Sequence, residues 1–170
     1  LNSLPETMRI EAVAINPTLV VGPSLSDDMG TSNMFIQKML DGSYSVVPKI
    51  HLGFVTVEDT ARAHIEAMLH PKASGKRFIL SEKNMWLLEM NEILIANGFK
   101  KAPTIQAPNF LIKFIGLFNK ELGVISGFVG KTKYTNSENA KNILDFKFEG
   151  VNNAIVDTAK KLEELGTIQK

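Results

Sequence analysis

An α/β fold, with a few parallel strands and a mostly helical remainder, is what this sequence predicts, and three observations carry the prediction. The run Ile10, Ala12, Val13, Ala14 and Ile15 is apolar on both alternating faces and rich in β-branched residues, as a strand buried between two helical layers should be; polar Glu11 is the exception. Asn16 and Pro17 then stop that strand, because proline has no N–H to give a sheet and restricts the residue before it. Two more short extended runs, Phe54 to Val57 and Lys76 to Leu80, stand among segments whose apolar residues recur at helical spacing.

Taken in order, Leu1 to Met8 reads as a loop containing a proline, without the basic flank, apolar stretch and small-residue cleavage site of a signal peptide. After the strand, Thr18 to Val21 resume as a short extended segment and Gly22-Pro23 breaks it. Ser24 to Thr31 is polar. Ser32 is placed to cap a helix with Phe35, Ile36, Met39 and Leu40 on one face, ended by Asp41-Gly42. A loop through Pro48, Lys49 and His51 leads to the strand at Phe54. Thr56 and Asp59 have the spacing of a capping box, and the helix they open is expected to bury Val57, Ala61, Ile65, Met68 and Leu69, with His64 half-buried.

His70-Pro71 closes that helix, the strand Lys76 to Leu80 follows, and a helix runs from about Met85 to Ala96, stopped by Asn97-Gly98. Pro103 and Pro108 bound a linker. Phe110, Leu111, Phe114, Ile115, Leu117 and Phe118 then make a helix with more apolar side chains than one buried face requires, which suits a pocket wall or a packing surface for a partner. Ser137 to Phe146 and Val151 to Leu165 are the last helices; the second repeats apolar residues at Val151, Ile155, Thr158, Leu162 and Leu165 before Gly166.

With 170 residues, 44% of them hydrophobic, the chain is long enough for a real core. Its 19 basic and 18 acidic residues are interspersed, which argues against nucleic acid or a membrane surface as partner. No apolar run approaches the roughly 20 residues of a membrane span. The absence of cysteine removes disulfide and thiol chemistry and suits a cytoplasmic protein. His51, His64 and His70 lack the spacing of a zinc site, so no metal is expected. Gly123, Gly127 and Gly130 form a GxxxGxxG run, but an apolar helix precedes it where a dinucleotide fingerprint needs a strand. It reads as a bend.

Three separated stretches, INPTLVVGP from Ile15, FVTVEDTARAHIEAML from Phe54 and GKRFIL from Gly75, resemble the extended short-chain dehydrogenase/reductases. Within them the likeness is to the dihydroflavonol-4-reductase-like branch, in the epimerase/dehydratase superfamily, and it runs from about Ile10 to the last helix. The resemblance implies the C-terminal part of an NAD(P)-binding Rossmann-type enzyme: the last strands of its sheet and a helical substrate-binding region, forming one portion, residues 1–170. The family's glycine-rich GxxGxxG turn and its YxxxK pair have no counterpart here, since Tyr44 is followed four residues later by Pro48 and Tyr134 by Glu138. The cofactor-binding N-terminal half is thus expected to be missing, and the chain alone to be inactive. Nothing in it matches a catalytic position.

By the same resemblance, the backbone at Asn16, Pro17, Thr18, Leu19 and Val20 would hold the nicotinamide end of NADP or NAD, and Ser32 would stand near the cofactor phosphates, a plain N-cap being the other reading of that serine. His51, Phe54 and Phe128 would line the substrate pocket, with an ordinary loop histidine as the alternative for His51. The pocket segments are apolar and hold none of the three arginines, Arg9, Arg62 and Arg77, which favours a small hydrophobic ketone or aldehyde over a sugar nucleotide. A part of a sugar-nucleotide epimerase and a non-catalytic ligand-binding module stay open as alternatives. The exposed sheet is expected to be covered by the missing N-terminal half or by a second copy.

Overall fold

The computed structural model describes residues 10–25, 30–117, 123 and 126–168. In chain order its elements are β1 (Ala14–Pro17), β2 (Leu19–Val21), α1 (Gly30–Leu40), β3 (His51–Thr56), α2 (Val57–Leu69), β4 (Arg77–Leu80), β5 (Lys83–Trp86), α3 (Leu87–Ala96), α4 (Asn109–Ile115), α5 (Glu138–Ile143) and α6 (Val151–Glu164). The loop Leu1 to Met8 and Phe118 lie outside the described residues.

Two small sheets form. β1 pairs in parallel with β4, Ala14 beside Arg77 and Pro17 beside Leu80. β3 is the centre of the other sheet, parallel to β2 with Leu19 beside Phe54, and antiparallel to β5 with His51 beside Trp86. The α/β class and the parallel pairing agree with the sequence reading.

The strand expected over Ile10 to Ile15 begins only at Ala14, and it does not stop at the Asn16-Pro17 pair. Ala14 N–H donates to the Lys76 carbonyl and Thr18 N–H to the Leu80 carbonyl. Alternate residues of a strand turn their amides to opposite sides, so the nitrogen of Pro17 points away from β4, where no hydrogen bond is lost. The break falls at Thr18 instead, where the chain passes from one sheet to the other. β1 is an edge strand, and its outer side is exposed rather than buried between layers.

Consecutive residues of β3 serve two cores. Phe54 packs with Ile36, Met39 and Leu40 of α1, Met90 and Leu94 of α3, and Ile155 and Leu162 of α6. Val55 packs with Ala63 and Ala67 of α2, Phe78 and Leu80 of β4, and Ala140, Leu144 and Phe146. The predicted apolar faces of α1 and α6 therefore point inward. Thr158 is also buried, because its hydroxyl accepts from Gly22 N–H at 2.8 Å and donates to the Ala154 carbonyl. α6 starts where Val151 N–H donates to the Glu82 carboxylate, an anion at a helix N-terminus.

α2 reverses its expected orientation. Its sheet-facing positions are Asp59, Ala63 and Ala67, whereas Val57, Ala61, Ile65, Met68 and Leu69 face outward, Met68 being 75% exposed. Residues spaced four apart share a stripe, and α2 carries two stripes: one of small residues, one of large. The small one lets the helix lie close against the sheet. His64 follows the outer stripe and is exposed, its Nδ1 bonded to the Thr60 carbonyl.

Thr56 caps α2 as its spacing predicts, accepting from Asp59 N–H at 2.9 Å, but Asp59 does not reach back to complete the box. Its carboxylate, 1% exposed, accepts instead from Arg62 and, at 3.0 Å, from Glu149 N–H. Arg62 also meets the Glu149 carboxylate and the Lys147 carbonyl and lies over the Phe146 ring. Burial opposes its charge, but the Asp59 hydrogen bond and the nearby Asp59, Glu149 and Glu66 charges prevail and raise its pKa.

Three other boundaries differ. Met85 and Trp86, expected at the start of a helix, end β5 instead; the third helix begins at Leu87, where Glu89 accepts from Trp86 N–H. α4 keeps only Ile112 buried and leaves Phe110 75% exposed. α5 is shorter than Ser137 to Phe146: Ser137 precedes it, its hydroxyl bonded to both backbone groups of Ser81, and beyond its far end Asp145 takes φ +50°.

Candidate functional site

A cleft of about 400 Å³ opens where β2 ends and two helices begin. Its floor is Val20, Val21, Gly22 and Pro23; the first turn of α1 supplies Gly30, Thr31, Ser32 and Asn33; Val57 closes it from α2. The geometry follows from local chemistry. Gly22 takes φ +146°, and a Cβ there would come 2.5 Å from Val57 Cγ1, so only glycine lets the β2 turn approach α2. Asn33 donates its side-chain amide to the Gly22 carbonyl at 3.2 Å and ties α1 to that turn. Among the described residues the lining is apolar, hydroxyl and amide, and the first turn of α1 forms one wall; a helix N-terminus favours anions. Across Pro23 a second cavity of about 320 Å³ carries Glu58, Glu149 and Asp157. An anion therefore has one favourable side and one unfavourable side of Pro23.

Of the predicted cofactor residues, Val20 and Ser32 meet in this cleft. Ser32 is not the N-cap: it is the third residue of α1, inside the first turn. Asn16 and Pro17 lie exposed at the end of β1, and Leu19 packs half-buried against the larger core. Thr18 donates its hydroxyl to the Leu80 carbonyl at 3.0 Å.

The predicted substrate residues separate. Phe54 has no exposed surface and belongs to the core, because β3 is longer than expected and carries it to the middle of the sheet. The same extension moves His51 out of the loop and into β3, where it is 6% exposed. Its Nδ1 meets the Lys133 carbonyl at 2.6 Å, and its ring lies edge-on to Trp86 and Tyr134. Phe128 is half-buried with Lys133 Nζ 4.0 Å from its ring centre. Asn84 holds the 133–135 segment in place by exchanging two hydrogen bonds with Thr135. Reading the sequence overlooked Trp86; the signal was available in its pairing position, since an antiparallel strand at residues 83–86 sets it directly across from His51.

No family model matches the chain. Cinnamoyl-CoA reductase 1 of Petunia hybrida is 31% identical over 157 residues, 92% of this chain and 42% of the relative. The NADPH-dependent methylglyoxal reductase of Saccharomyces cerevisiae is 24% identical over 163 residues, again 92% of this chain and 44% of the relative. Its homologues are reductases of the extended short-chain dehydrogenase/reductase family. The chain spans less than half the length of these curated reductases. A nucleoside-diphosphate-sugar epimerase from Pseudomonas aeruginosa shares the fold at a TM-score of 0.74 with 14% identity, covering 92% of this chain and 49% of that one. A fold shared with an epimerase does not choose between reductase and epimerase. Among the described residues no helix is long and apolar enough to cross a membrane.

Proposed function

We propose that this chain is the substrate-binding portion of an NAD(P)H-dependent reductase that interconverts a carbonyl compound and its alcohol. The observation that carries the reading is the meeting of Val20 and Ser32 in a cleft whose described lining residues carry no charge, at a helix N-terminus and at the carboxyl end of a parallel strand, the place where open α/β sheets hold ligands. In this reading the α1 amides and the Thr31 and Ser32 hydroxyls receive the cofactor phosphates, and the chain around Asn16 to Leu19 faces the nicotinamide end. The bound cofactor supplies the hydride. His51 and Phe128 stand on the substrate side. Proton delivery falls to groups outside this chain, because neither Tyr44 nor Tyr134 has a lysine four residues on. The two described arginines support a reductase over a sugar-nucleotide enzyme: Arg62 is engaged by Asp59 and Glu149, and Arg77 lines a separate cavity with Glu138 and Asn139.

The test is equilibrium titration of the intact protein with NADPH and NADH. Ser32→Glu places a carboxylate among the α1 amides and is expected to weaken binding at least about tenfold, while Ser32→Ala has a smaller effect. Unchanged affinity in Ser32→Glu, with an unchanged circular dichroism spectrum, would refute the phosphate assignment.

A further inference from the structure

Where β3 begins, aromatic rings and ammonium groups collect in one patch. The His51 ring centre is 4.9 Å from that of Trp86 and 5.3 Å from that of Tyr134, both edge to face. Lys49 Nζ stands 5.3 Å from the Trp86 ring centre and Lys133 Nζ 4.0 Å from that of Phe128. Two clamps fix the arrangement: Gly130 N–H donates to the Lys49 carbonyl at 2.8 Å, and His51 Nδ1 meets the Lys133 carbonyl at 2.6 Å. A carbonyl oxygen only accepts, so Nδ1 carries the hydrogen and Nε2 is left to face another partner.

Among the described residues no carboxylate pairs with Lys49 or Lys133. Glu89, the acid that follows Trp86 on α3, is turned to the Trp86 N–H at 2.6 Å. An aromatic face compensates an ammonium only in part, and Tyr134, 81% exposed, adds open apolar ring surface edge-on to His51. We propose that this patch binds an anionic group, a carboxylate or a phosphate, carried on a planar apolar body. In the reductase reading above, that anionic ligand is the substrate. The inference rests on that reading for its place in a reaction, but the binding itself is separately measurable.

Trp86 is the single tryptophan of the 170 residues, so its fluorescence reports the patch, with Trp86→Phe subtracting any other signal in the intact protein. The probes are benzoate, phenyl phosphate and neutral benzamide. Saturable quenching by one or both anions is expected, about tenfold tighter than by benzamide, and whichever anion binds tighter identifies the group. Lys49→Gln combined with Lys133→Gln should abolish the preference, and the paired arginine replacements should keep it. Equal binding of benzoate and benzamide, or an anion preference that survives the glutamine pair, would overturn the proposal. NADPH affinity is measured on the same preparations. Retained NADPH binding without anion selectivity sinks this inference alone, and anion selectivity without Ser32-dependent NADPH binding sinks the cofactor reading alone.

Discussion

Replacing Asp59, buried on the sheet side of α2, should destabilise this protein by an amount the structure lets us work out. Asp59→Ala removes the acceptor of the Glu149 N–H and of Arg62 from a site that is 1% exposed. A part-buried backbone N–H that loses its charged acceptor costs about 1.5–3 kcal/mol. Arg62 keeps the Lys147 carbonyl and the Glu149 carboxylate and is about one-third exposed, so its loss adds only about 1 kcal/mol. The sum is roughly 3 kcal/mol, or a fall in Tm of about 6–12 °C for a chain of this size. Asp59→Asn keeps an acceptor for the Glu149 N–H and should lose roughly half as much. Glu149→Gln breaks only an exposed pair and should cost less than about 1 kcal/mol. Urea unfolding followed by circular dichroism measures all three against the parent at constant slope. If Asp59→Ala costs under about 1 kcal/mol, or no more than Asp59→Asn, the anchoring of the Glu149 loop by this carboxylate is wrong.

Other expectations concern packing, capping and charge. Gly53→Ala should destabilise by about 1–3 kcal/mol in denaturant, since a Cβ there would lie 2.5 Å from Ser81 Oγ and 2.8 Å from Thr18 Cγ2. On α2, Ala63→Leu should cost a similar amount by forcing the helix off the sheet, while Leu69→Ala should cost under about 0.5 kcal/mol; the opposite order in thermal melts would restore the orientation read from the sequence. Thr56→Ala should lose about 1 kcal/mol with the α2 cap, measured by chemical denaturation and expected to be recovered largely by Thr56→Ser. Because the Arg62 pKa is raised in the fold, its contribution is complete below the unfolded-state value and fades only as pH climbs past the folded one. The stability gap between the parent and Arg62→Met should therefore stay level from neutral pH to about pH 10.

The parts of the fold that were legible are those where one signal dominates. The apolar faces of α1 and α6, the Thr56 cap and the stop at Asn97-Gly98 each follow from a local rule with no competitor. α2 was misread because two stripes of different size share one helix, and periodicity says which residues lie together but not which side the sheet takes. β5 was hidden because Lys83, Asn84, Met85 and Trp86 owe their extended form to pairing with β3, a partner on the far side of α2 and β4 in the chain. For the candidate site, Val20 and Ser32 were named from resemblance and do meet in one cleft. The company around His51 could not be read, because Lys133 and Tyr134 reach it only through a loop held by Asn84.

The turned-away nitrogen of Pro17 has a consequence for assembly. On the open side of β1, Ile15 offers both an N–H and a carbonyl to a newcomer, but the next outward position offers a carbonyl alone. A further strand can zip along β1 only as far as Ile15 before the donor row is interrupted. Edge strands with an unbroken row of donors are templates for indiscriminate pairing; this one carries its own stop, two residues long, at the point where the chain leaves for the second sheet.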